Sequence, residues 1–155
     1  MTSRDPAAAE LERSSERWLA WLAAETARRR RQPGAGLLML WDLLEEWFAS
    51  DDFTSSPVAA AVTAPPDGRG PAVHAVLVRH RQATRQLLED LARSSGAPAP
   101  TALAAQLLIL VEGAIAGALI DRHAGVACHA RELTQIALGR PSPTRSWVGS
   151  PGGGA

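Results

Sequence analysis

The sequence predicts an all-α protein, and three observations carry that reading. Apolar residues recur at three- and four-residue spacing along nearly the whole chain, no segment sustains the two-residue alternation of a half-buried strand, and prolines mark the ends of the periodic stretches. A chain of 155 residues is long enough for one domain with a real core. Its 46% hydrophobic content argues against disorder over most of that length. The domain is expected over residues 1–139, followed by a Pro/Gly/Ser-rich disordered tail over 140–155.

A first helix is expected over residues 6–31. Asp5 is a suitable N-cap, Pro6 suits the first helical position, and Leu11, Ser15, Trp18 and Leu22 share a face with Trp21 beside it. Arg28 to Arg31 complement the negative end of the helix dipole before Pro33 and Gly34 stop it. A second helix is expected over 37–49, with Leu37, Trp41, Leu44 and Phe48 on one face. A connector follows over 50–57, then a short helix over 58–63 and a loop, PPDGRG, over 65–70. The third long helix is expected over 71–95, with Val73, Leu77, His80, Thr84, Leu87 and Leu91 in a stripe. On its outer side Arg85/Glu89 and Glu89/Arg93 have favourable pairing distances. The fourth long helix, over 101–122, is apolar on nearly all sides and so is expected to be buried on nearly all sides. A last helix is expected over 126–138.

Within the fourth helix, residues 104–120 form the most apolar run of the chain. Gln106 and Glu112 interrupt it and it falls short of a comfortable bilayer span, so a buried helix is the expected state. One small domain has limited interior for such a helix. Gly113, Ala114, Ala116, Gly117 and Ala118 permit close helix approach, and a second copy packing on this helix and the last one would give a two-fold four-helix interface.

Composition narrows the function classes. Sixteen basic residues balance sixteen acidic ones, which counts against nucleic-acid binding by these residues alone. All the basic residues are arginine, and lysine, asparagine and tyrosine are absent, a bias that points to a GC-rich bacterial genome. The single cysteine, Cys128, excludes an intrachain disulfide and fits a reducing cytoplasm; the first residues carry no apolar signal core. The pairs His74/His80 and His123/His129 are six residues apart, which is not the one-turn spacing of a helical metal chelate. No catalytic triad order, phosphate loop or zinc spacing stands out, so neither enzyme activity, nor a cofactor, nor a metal is expected. Asp51 and Asp52 read as solvated or capping residues, and the Arg28–Arg31 run as a solvated helix end.

Three stretches resemble the C-terminal domain of TetR-family transcriptional regulators. LLMLWDLLEEWFASDDF over 37–53 is similar to the family's apolar helix ending in an aromatic pair. PAVHAVLVRHRQATRQLLEDLARSSGA over 71–97 is similar to its long helix after a proline-rich turn, and ALAAQLLILVEGAIAGALI over 102–120 to its penultimate helix. ARELTQIAL over 130–138 fits the last helix. Nothing matches the family's three-helix DNA-binding head. The resemblance therefore implies an effector-sensing, homodimerising half, with no direct DNA binding by these residues and with operator DNA as a partner only if a helix-turn-helix precedes them.

By position, the resemblance implies a pocket for a small apolar or aromatic effector lined by Trp18, Trp21, Trp41, Phe48, Phe53, His74, Gln106 and Leu110. The same rings would equally pack a core. It implies a dimer interface through Leu108, Glu112, Ile115 and Leu119 of the fourth long helix with Leu133 and Ile136 of the last. Glu112 needs a partner wherever it is buried, and a structural role is favoured over ligand binding. The rival function is a ligand-free helical interaction protein that dimerises with or sequesters related regulators. A small helical enzyme is the weakest reading, for want of convergent titratable groups.

Overall fold

In the computed structural model, which describes residues 5–31, 36–67 and 69–139, those residues form seven helices and no strand. They are α1 (Pro6–Arg29), α2 (Met39–Phe48), α3 (Asp51–Thr54), α4 (Pro57–Thr63), α5 (Pro71–Ser94), α6 (Pro100–Asp121) and α7 (Val126–Gly139). The tail expected over 140–155 and the stop expected at Pro33 and Gly34 lie outside the described residues.

Local chemistry sets the helix ends. Proline opens α1, α4, α5 and α6, where its missing N–H is not needed. Asp5 Oδ1 accepts from the backbone N–H groups of Ala7 and Ala8 at 3.0 and 3.4 Å, and Ser56 Oγ caps α4 by accepting from Ala59 N–H at 3.3 Å. Gly96 closes α5 with φ +79°, and Ala97 N–H then donates to Ala92 O at 3.1 Å. α6 ends on Arg122 at φ 52°, a left-handed residue that bears a side chain. In the short link to α7, Gly125 N–H donates to His123 Nδ1 at 2.9 Å. A Cβ at Gly125 would displace the exposed His123 ring from this position.

The connector expected over 50–57 contains one further helical turn, α3, which buries Phe53. Two or three turns of periodicity are needed to reveal a helix in a sequence, and α3 has one.

α2 is short and deeply buried. Seven of its ten residues are buried, and it packs against α1, α3 and α7. α5 packs against α1 and α6, while α6 also meets α4 and α7. Leu40, Leu44, Leu88, Ala104 and Leu107 are fully buried where these layers meet. Each such leucine contributes roughly 2 kcal/mol by removal from water. On α5 the inward stripe is Val76, His80, Thr84, Leu88 and Leu91, with Val73, Leu77 and Leu87 half-buried beside it. Of the pairs foreseen on its outer side, Glu89–Arg93 forms at 2.6 Å, and Glu89 accepts its other hydrogen bond from Thr101.

Within one chain α6 is not buried on nearly all sides. Leu103, Leu107, Val111, Ala114 and Ala118 face the core, but Ile109 and Ile120 are 64% and 79% exposed. α6 is long and apolar enough to cross a membrane by length and composition alone; in this fold its inner side is packed by α4, α5 and α7.

Candidate functional site

A cleft of about 480 Å³ opens between α1, α2 and the α3–α4 turn. α1 contributes Ser14, Arg17, Trp18 and Trp21, which the helical repeat places on one side. α2 contributes Glu46 and Trp47. Ser50, Asp52, Ser55, Ser56 and Pro57 close the third wall. The volume falls in the range of small-molecule sites.

The floor is aromatic. Trp47 is the hub: its ring centroid lies 5.6 Å from Trp18, 6.2 Å from Trp21 and 4.8 Å from Phe53, the last in an edge-on arrangement. Phe48 and Phe53 meet behind it at 4.9 Å with their ring planes tilted by 52°. Such tilted and edge-on pairs are the geometry that ring quadrupoles favour. Trp18 sits between Trp47 and the imidazole of His80, 5.4 Å away, and its Nε1–H is buried with no hydrogen-bond acceptor among the described residues. Trp21 is half-buried and presents ring surface at the rim.

Two charges of the rim, Arg17 and Asp52, form no ion pair among the described residues, whereas Glu46 is held by Arg29 at 2.6 Å. Arg28 pairs with Glu25 at 2.5 Å, so two arginines of the basic helix end are already engaged. Behind the floor, His80 Nδ1 and Ser15 Oγ share a buried hydrogen bond of 2.8 Å. Burial pushes the His80 pKa down to about 4, against a smaller upward pull from Glu112.

Of the residues expected to line a pocket, the cleft brings together Trp18 and Trp21. Phe48 and Phe53 lie beneath it as core, in contact with Trp47. Trp41 is buried elsewhere, its Nε1–H donating to Thr134 Oγ1 at 2.8 Å. His74 on α5 and Gln106 on α6 are exposed, Leu110 is half-buried, and none of the three lines the cleft. Trp47 was legible only as a neighbour of the apolar face of α2; its pairing with Trp18 and Trp21 comes from the crossing of α1 and α2.

The expected association residues divide in the same way. Leu133 and Ile136 of α7 are 51% and 52% exposed. Leu108 and Ile115 of α6 are instead buried inside the chain, and Leu119 packs against the core from its edge. Glu112 receives Arg81 through Nε and Nη2 at 2.7 and 3.3 Å, an α5–α6 link at the surface. The outward face of α6 lies one residue over, on Ile109, Gly113 and Ile120, and a Cβ at Gly113 would meet nothing within 4 Å. Cys128 is exposed. No group of three or more His, Cys, Asp or Glu side chains is placed to hold a metal ion among the described residues.

No protein-family description fits the chain, and neither a curated protein nor a solved structure matches it.

Proposed function

We propose that this chain is an effector-binding, homodimerising helical domain of the kind found in TetR-like cytoplasmic regulators, making no direct DNA contact through these residues. The observation that carries this reading is the apolar outward surface of α6 and α7. Ile109, Ile120, Leu133 and Ile136 are large, apolar and at least half exposed on two helices that pack against each other. Isolated exposed apolar residues are ordinary, whereas several of them recur here along two helices that adjoin, and that recurrence supports association. Each such side chain contributes on the order of 1 kcal/mol when covered, and a two-fold interface uses every one of them twice. Gly113, open to solvent, lets a partner helix approach closely.

The aromatic cleft is the effector site in this reading. α2 joins the two surfaces. It lines the cleft with Glu46 and Trp47, and it holds α7 through Trp41–Thr134 and Asp42–Arg131. An occupant that moved α2 would be felt by the helix that carries Leu133 and Ile136, and a sensor of this kind needs such a link between its two surfaces.

Thermal unfolding at about 1 and 100 µM protein tests the association. A dimer that dissociates on unfolding gains stability with concentration, and a double variant Ile109→Arg, Ile136→Arg loses that dependence while keeping its helical content. A concentration-independent Tm for the wild type contradicts the proposal. The tightly filled interior around Leu40, Leu44 and Leu107 favours a second reading, a ligand-free helical protein that sequesters related regulators. It predicts the same dimer with no small-molecule response.

A further inference from the structure

The polar rim of the cleft constrains an occupant more narrowly than the aromatic floor does. Resting on the reading of the cleft as an effector site, we infer that it takes an uncharged aromatic compound bearing hydroxyl groups. The serine hydroxyls of the rim are divided by what they already do. Ser50 Oγ donates to Trp47 O at 2.7 Å and Ser55 Oγ to Asp51 O at 3.2 Å, so both oxygens remain available as acceptors. Ser56 Oγ accepts from Ala59 N–H at 3.3 Å, so its O–H remains available as a donor, and the buried Ser14 Oγ, which accepts from Val58 N–H at 3.2 Å, keeps its own O–H at the inner edge of the cleft. The rim thus offers donors and acceptors side by side, which is the complement of a hydroxyl, itself both donor and acceptor.

The charges agree with an uncharged occupant. Arg17 and Asp52 stand on the same rim with opposite signs, and the Glu46 carboxylate is neutralised by Arg29. A cation is attracted by Asp52 and repelled by Arg17, and an anion the reverse, so the rim charges favour neither sign in exchange for its desolvation; the tryptophan rings add an attraction for a cation, which makes the cationic probe the stringent comparison. A neutral hydroxylated ring loses little water, stacks on Trp21 and bonds the rim.

Equilibrium dialysis at pH 7 with three bicyclic probes of similar size tests this: 2-naphthol, which is neutral and hydroxylated, 2-naphthoate, an anion, and N-methylquinolinium, a cation. The expected result is that 2-naphthol binds more tightly than either ion by about tenfold, the equivalent of one well-made hydrogen bond. Trp21→Ala should weaken it by a similar factor. Ser50→Phe, which fills the cleft without removing a core group, should abolish binding and covers the case in which Trp21→Ala fails to fold. If either ion binds best and Ser50→Phe abolishes that binding, the cleft is a site and the inferred class is wrong. If no probe binds, or binding survives Ser50→Phe, the effector reading of the cleft falls as well.

Discussion

His80 makes the stability of this protein depend on pH in a way that can be worked out. Its side chain is buried between α1 and α5, against Trp18 and hydrogen-bonded to Ser15. The folded pKa is about 4 against an ordinary 6.5, burial being the larger cause and Glu112 opposing it. The folded state therefore binds this proton less readily than the unfolded chain. The stabilisation is fully present above pH 6.5 and is lost as pH falls from 6.5 towards 4. Each unit in that window removes about 1.4 kcal/mol, so roughly 2 kcal/mol is gone at pH 5 and about 3 kcal/mol below pH 4. Carboxylates titrate over part of the same range, so the comparison is with His80→Asn, which retains a polar group but cannot become a cation. Urea unfolding at pH 7.5 and 5.0, at one protein concentration, gives the difference. With a slope of about 2 kcal/mol per molar urea, the wild-type midpoint should fall by about 1 M more than that of the variant. Equal falls in the two proteins would refute the claim that burial keeps this imidazole neutral.

Three further outcomes are expected. Thr134→Val keeps the shape of the α2–α7 contact but leaves Trp41 Nε1–H buried without an acceptor, so urea unfolding should show a loss of about 1–3 kcal/mol. Arg122→Gly relieves the left-handed residue at the end of α6 and should raise stability by about 0.5–1 kcal/mol in the same assay; a loss would mean that the Arg122 side chain makes a contact outweighing its backbone cost. With charges balanced at sixteen and sixteen, and Arg28 and Arg29 already paired, the chain should give no salt-sensitive mobility shift with duplex DNA at micromolar concentration.

Helix boundaries were the most legible feature of the sequence because proline and glycine act locally. Pro6, Pro57, Pro71 and Pro100 each open a helix, and Gly96 closes one. The inward stripe of α5 was legible in part: arginines and acids on its outer side give the pattern a direction, and His80, Thr84 and Leu91 face the core as expected, but Val76 and Leu88 are buried there while the expected Val73, Leu77 and Leu87 are only half-buried. α6 was not, for the same reason in reverse. A helix apolar on every side carries no sign of which side faces the core, and Leu108 and Ile109 are equally good candidates on composition. The structure buries Leu108 and Ile115 and exposes Ile109 and Ile120 because α4, α5 and α7 occupy the other side. Glu112 stands in an apolar run of sequence, yet it reaches Arg81 at the surface of α5. The cleft was half legible. Trp18 and Trp21 share a side of one helix, but Trp47 joins them only through the α1–α2 crossing, and the serines of the rim belong to a connector whose path no periodicity describes.

The molar mass of the full chain in solution tests most directly whether the outward surface of α6 and α7 belongs to a second copy. Light scattering at micromolar concentration should give twice the chain mass of 16.4 kDa, falling to a single chain in the Ile109→Arg, Ile136→Arg variant. A wild-type protein that stays at 16.4 kDa across that concentration range would contradict the claim and leave the exposed isoleucines of α6 without a role.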